Sequence, residues 1–217
     1  MSVTPLRRAE LRTRSAGGEI ELAGRGKAKP AWQAPIAYAA FAAIACSIVI
    51  ASLVAAPGRS GLFGGALGLL MLAVAVADAR AFIIPDKLTI AAFALALTDA
   101  ANEGLESMPE NIAVAALRGL VLALAFFALR EIYLRLRHRH GIGLGDVKLA
   151  AVAGAWLDWT LIPVAIEIAA LTALIFYIAS RLVLRRPLCA AAQLPFGLFF
   201  APAIWFCWLL NAIFFEF

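Results

Sequence analysis

Beyond a polar leader of about thirty residues, the chain alternates long apolar blocks with short polar or charged dips. The blocks run from Ala31 to Ala56, Leu62 to Ala77, Leu88 to Ala101, Ile112 to Leu129, Val147 to about Leu157, Pro163 to Leu182 and Leu194 to Phe215. About 20 consecutive apolar residues make a helix long enough to cross the hydrocarbon of a bilayer. The pattern therefore predicts an all-α polytopic transmembrane helix bundle of about six to seven spans. Pro57, Gly58 and Gly61 predict the first turn. Pro85 predicts the opening of the third helix, because proline disfavours helix in Ile84 and suits a helix's first turn. The third and fifth blocks are short, and the fifth reads either as a short span or as a half-helix that would invert the C-terminus.

Composition agrees with this pattern. The 217 residues are 64% hydrophobic with a mean hydropathy of +0.90, far too apolar for a soluble domain. A net charge of +5 raises nucleic-acid binding as an alternative, but the basic residues flank apolar blocks as cytoplasmic loops do. No nucleic-acid partner is expected, and membrane lipids are. Residues 1–30 carry Arg7, Arg8, Arg12, Arg14, Arg25, Lys27 and Lys29 with too few apolar residues for a core, and read as a disordered basic tail on the cytoplasmic side. The transmembrane domain follows over 31–217. Val54-Ala55-Ala56 resembles a signal-peptide cleavage site, although the polar leader is long and the apolar block is nearly a full span. The connector from Asn102 to Asn111 holds Glu103, Glu106 and Glu110 without a cation and is placed outside. Arg80, Lys87, Arg130, Arg135, Arg137, Arg139, Arg185 and Arg186 are placed inside.

Candidate chemistry lies in the dips. His138-Arg139-His140-Gly141-Ile142-Gly143-Leu144-Gly145-Asp146-Val147-Lys148 is a glycine-rich, charged stretch whose aspartate stands where an apolar block begins. An ionisable group at that depth is costly and points to function. The bland alternative is a flexible loop whose aspartate caps the following helix. Asp78 is a second acid, at the inner end of the second block, so the topology places Asp78 and Asp146 on one face of the membrane. Two close carboxylates cannot both ionise readily, so one polarises a carbonyl while the other deprotonates water. Paired acids also suit a small cation or proton-coupled transporter, though such sites usually sit near the midplane. His138 and His140 lack a carboxylate spaced as a fellow ligand, and Cys46, Cys189 and Cys207 form no C-x-x-C pair. No metal, cofactor or disulfide framework is expected.

Gly143-Leu144-Gly145-Asp146 with Lys148, together with Asp78 and Ile84-Pro85-Asp86-Lys87-Leu88-Thr89, resembles the motifs of the type IV prepilin peptidase family, as does Leu194-Pro195-Phe196-Gly197. The resemblance covers about residues 60–210. It implies a bacterial inner-membrane aspartyl endopeptidase, with its N-terminus cytoplasmic, whose motif aspartates cut leader peptides from pilin-like precursors at the cytoplasmic face. Asp78 and Asp146 become the catalytic candidates, supported by Gly143, Gly145, Lys148, Pro85 and Asp86. Asp86, in the first turn of a helix, is expected to be structural. The large members carry a domain with paired cysteines that accompanies N-methylation, and nothing here matches it. The chain resembles the shorter members serving Flp-type, tight-adherence pili. The helix ends suggest an asymmetry, with Asp78 at a negative C-terminus and Asp146 at a positive N-terminus beside Lys148, so that Asp78 would hold the shared proton.

Overall fold

The computed structural model describes residues 33–102, 107–137, 141–184 and 195–214. Among them the regular elements are helices: α1 Gln33–Ala55, α2 Arg59–Ala81, α3 Asp86–Asn102, α4 Met108–Arg137, α5 Leu144–Trp156, α6 Leu161–Leu184 and α7 Gly197–Phe214. Each corresponds to one apolar block. Five of them, α1, α2, α4, α6 and α7, are long and apolar enough to cross a membrane, so the chain is an all-α, multi-pass membrane protein. The blocks read as short form the other two, α3 with 17 residues and α5 with 13. At 1.5 Å per residue α5 is only about 20 Å long, well below the ~30 Å hydrocarbon thickness. The basic tail before α1 lies outside the described residues.

The chain divides into two compact units, residues 1–43 and 44–217. In the first, the described part is the start of α1, which exposes Tyr38 and Phe41. In the second, α4 packs on α5, α2 and α6 both pack on α7, and α3 contacts α2, α4 and α5. Its core joins Leu67, Met71 and Val74 of α2, Leu149 and Val152 of α5, and Phe200 and Ile204 of α7.

Glycine allows the close approaches. Water cannot drive helices together inside lipid, so association depends on surfaces that fit. Gly61, predicted as part of the turn, lies inside α2, and a Cβ there would fall 2.0 Å from the Ala56 carbonyl oxygen. At Gly64 a Cβ would overlap the Trp208 ring, and at Gly68 it would meet Ile48 and Trp205. Trp205 Nε1 donates to Ser52 Oγ at 3.1 Å, and Ser52 donates to the Ile48 carbonyl at 2.9 Å, so a fully buried hydroxyl ties α1 to α7. The α4–α5 pair is closest where Gly119 faces the Ala151 carbonyl and Gly154 faces the Arg118 carbonyl.

Polar bonds fix α5 against its neighbours. Trp156 Nε1 donates to the Ala92 carbonyl of α3 at 2.9 Å. Arg118, within the span α4, pairs with Asp158 just beyond α5, which answers a charge that is costly at that depth. The Gly154 contact yields a test. A Cβ at 154 would stand 2.5 Å from the Arg118 carbonyl oxygen, a backbone atom, so Gly154→Ala must separate α4 from α5. Overpacking of this kind costs about 1–3 kcal/mol. A lowered thermal unfolding midpoint of the purified protein is expected, and an unchanged midpoint would contradict the close crossing.

Candidate active site

Asp78 was expected at the end of the second apolar block, and the helix in fact carries it inward and continues one turn further. The chain leaves α2 at Phe82, which takes the left-handed conformation with φ 54° and ψ 30° and donates its N–H to the Asp78 carbonyl at 2.9 Å. A non-glycine residue there is uncommon and strained. Asp78 is thereby buried, with 5% of its surface exposed. Its carboxylate Oδ2 accepts the N–H of Leu198, in the first turn of α7, at 2.9 Å. Gly197 lies flush against the same group, for a Cβ at 197 would sit 2.9 Å from Asp78 Oδ2 and 2.8 Å from Ile84 Cδ1. The start of α7 is anchored by Phe200, whose ring stacks on Phe126 of α4 and tilts against Phe196.

Asp146 occupies the first turn of α5. Gly143 precedes the helix in an extended conformation and donates its N–H to Asp146 Oδ2 at 3.2 Å. The capping role given by the bland reading is therefore real, and it coexists with proximity to the other acid. Burial pushes the Asp146 carboxyl up to about 6, the Gly143 N–H works against that rise, and the Asp78 carboxylate adds to it. The two aspartates, far apart in sequence, sit within electrostatic reach of each other. Ile84 joins their surroundings. It is buried, and its side chain meets both the position a Cβ would take on Gly145, at 3.0 Å, and the corresponding position on Gly197.

The supporting residues separate into different tasks. Pro85 opens α3, its carbonyl accepting the N–H groups of Leu88 and Thr89 at 3.1 and 3.3 Å. Asp86 forms an ion pair with Lys148, linking α3 to α5. The positive charge expected to favour an ionised Asp146 is thus shared with another carboxylate. The positive N-terminal end of α7 faces Asp78, although the sequence placed only a negative helix end there. Asp78 therefore meets the ends of two helices of opposite sign, its own and that of α7, and helix-end charge alone does not assign the shared proton. Gly141, at the head of the glycine-rich stretch, packs beneath the Tyr133 ring of α4. His138, Arg139 and His140 lie outside the described residues, as do Glu103, Glu106, Arg185, Arg186, Cys189 and Leu194.

Sequence reasoning assigned no chemistry to Ile84 or to the N–H of Leu198. The nearest signal was the Leu194-Pro195-Phe196-Gly197 segment, which leads directly to that donor. The coupling of the two acids is measurable. Infrared titration of the carboxyl band should place the Asp146 transition near 6 in the wild type, as a property of the pair. Asp78→Asn removes the neighbouring carboxylate and should move the transition to lower pH. An unchanged or raised midpoint would show that the acids do not sense each other.

Comparison with known proteins bears on the whole arrangement. The type IV leader peptidase family matches residues 65–178, a stretch that contains both aspartates. The prepilin leader peptidase/N-methyltransferase of Escherichia coli K12 is 33% identical over 172 residues, covering 77% of this chain and 71% of that protein. The protein of the same name from Aeromonas salmonicida A449 is 29% identical over 157 residues, and the chain spans about half of its length, 52%. Leader peptidase HopD of Escherichia coli is 41% identical over 71 residues, 33% of this chain and 45% of that protein. No solved structure matches the chain. With a family match running from α2 into α6 and a relative aligned along most of both chains, this protein belongs to the type IV leader peptidase family.

Proposed function

We propose that the chain removes leader peptides from pilin-like precursors at the cytoplasmic face of the bacterial inner membrane, using Asp78 and Asp146 as a catalytic pair. Family membership makes it a leader peptidase, and the residues, the side and the proton chemistry are our additions. The reading is carried by one observation: the buried Ile84 side chain meets both Gly145, next to Asp146, and Gly197, which lies against the Asp78 carboxylate, so acids from two different helices share one apolar setting. Such a pair holds one proton between them. The protonated carboxyl donates a hydrogen bond to the scissile carbonyl, and the ionised one takes a proton from water as its oxygen attacks that carbon. Collapse of the tetrahedral intermediate breaks the C–N bond, and a proton passes to the leaving amine.

The cytoplasmic assignment rests on Arg80, Lys87, Arg130, Arg135 and Arg137, which cluster at the ends of α2, α3 and α4 that lie towards the acids. It places the N-terminus in the cytoplasm. Phe82 and Ile83 after Asp78 and Leu144 before Asp146 are exposed, an apolar setting suited to the hydrophobic segment that follows the cut. A cation or proton transporter would also use paired acids, but the family match lends that reading no support.

Asp78→Asn and Asp146→Asn should insert normally and each lose precursor cleavage by about a thousandfold or more, as expected when one member of a catalytic unit is removed. Asp86→Asn should keep substantial activity, because the Asp86–Lys148 pair is largely exposed and such pairs contribute about 0–1 kcal/mol. Deep inactivation by Asp86→Asn would place that residue in the chemistry. Gly197→Ala presses a methyl group on the Asp78 carboxylate, so cleavage should fall more than tenfold, an estimate of about 1.4 kcal/mol in the barrier, with little change in thermal midpoint. The raised Asp146 fixes the sign of the alkaline limb. Cleavage of a precursor should decline as pH rises through about 6, where Asp146 gives up its proton beside the ionised Asp78 and the pair no longer holds the one proton that the chemistry needs.

A further inference from the structure

Glu167 stands where a membrane protein does not leave a carboxylate without reason. It lies in α6, inside the membrane-capable segment Leu161–Ser180, six residues from its start and therefore about 9 Å along the helix. Glu167 is exposed, and no hydrogen bond or ion pair joins it to another described residue. The buried stripe of α6 is Leu161, Ile162, Ala165 and Ala169, and Glu167 lies on the opposite side. Its neighbours there are Val164, Leu171, Leu174 and Ile178, all exposed. With Glu167 these residues are spaced three, four, three and four apart, the repeat that keeps one seam of a helix facing a parallel partner. A single polar residue within such a seam fixes the register of pairing.

The geometry points to a homodimer in which α6 packs against α6 of a second copy, with Glu167 meeting its counterpart at the centre of a two-fold contact. Copies inserted in the same orientation run their α6 helices parallel and hold residue 167 at the same depth, so a two-fold axis along the membrane normal brings like against like. A protonated carboxyl has one donor and free acceptor sites. Two such groups, or one protonated and one ionised, are self-complementary without a third residue. Lipid offers no equal partner at that depth. The contact lies on α6, apart from the Asp78–Asp146 site, and the inference does not depend on which residues cleave substrate.

The test is association of the full chain in lipid vesicles, followed by energy transfer between donor- and acceptor-tagged copies as lipid dilutes them. Wild type should dimerise. Glu167→Gln, which keeps donor and acceptor groups, should dimerise within about threefold of wild type. Glu167→Leu should raise the dissociation constant about tenfold, the scale of one interhelical hydrogen bond in a membrane. Single cysteines at 164, 171, 174 and 178, introduced with Cys46, Cys189 and Cys207 replaced by alanine, should cross-link between copies more readily than cysteines at 165 or 169. A wild type that stays monomeric at every lipid ratio overturns the proposal, and so does a dimer indifferent to Glu167→Leu. Cross-linking of seam cysteines in native membranes to a protein of different mass, with none between copies, would assign the face to another chain and equally overturn it.

Discussion

Bringing two carboxylates together in an apolar bundle raises the cost of ionising both, and the rest of the described fold is arranged around keeping them there. Lysine or arginine on each acid would hold both as carboxylates and leave no proton to exchange. The donors provided are backbone N–H groups instead, Leu198 on Asp78 and Gly143 on Asp146. A backbone donor offsets part of the desolvation without adding a full charge. Lys148, two residues beyond Asp146, is engaged by Asp86.

This arrangement demands accurate placement of α5, a helix too short to be held by the bilayer. Three interactions fix it. Lys148 reaches Asp86 near its start, Trp156 reaches the Ala92 carbonyl at its end, and Asp158 just beyond it receives Arg118. Along its length the Gly119–Gly154 crossing brings the backbone of α4 within contact distance. Close packing resists small displacements, so Asp146 keeps its position relative to α2 although its helix is only 13 residues long.

The approach of α7 to Asp78 has a similar origin. A side chain at 197 would occupy the space of the Asp78 carboxylate and of Ile84, so glycine there is required by room. The aromatic stack of Phe126, Phe200 and Phe196 then holds the helix start in place. Ile84, between Gly145 and Gly197, fills the space shared by the two acid-bearing surroundings and keeps them apolar. The unpartnered Glu167 is a separate case, since its cost is met on the outer face of α6 and not by the bundle.

The sequence by itself determined the helical, membrane-spanning class, the approximate position of each described helix, and which two aspartates to watch. These properties follow from local physics: block length against bilayer thickness, proline at Ile84-Pro85, and acids placed at the ends of apolar blocks. It also placed Asp78 and Asp146 on one side, because alternating spans and basic loops constrain topology. Only the tertiary structure decided what touches each carboxylate. The Leu198 N–H comes from 120 residues beyond Asp78, and the Lys148–Asp86 pair joins residues 62 apart. Helix-end reasoning assumed that each acid sees the dipole of its own helix. In the fold Asp78 meets the start of a different helix, and the charge near Asp146 is drawn to α3. Such contacts depend on how separate helices cross, which is settled by glycine spacing and side-chain fit, and no single stretch of sequence contains both partners.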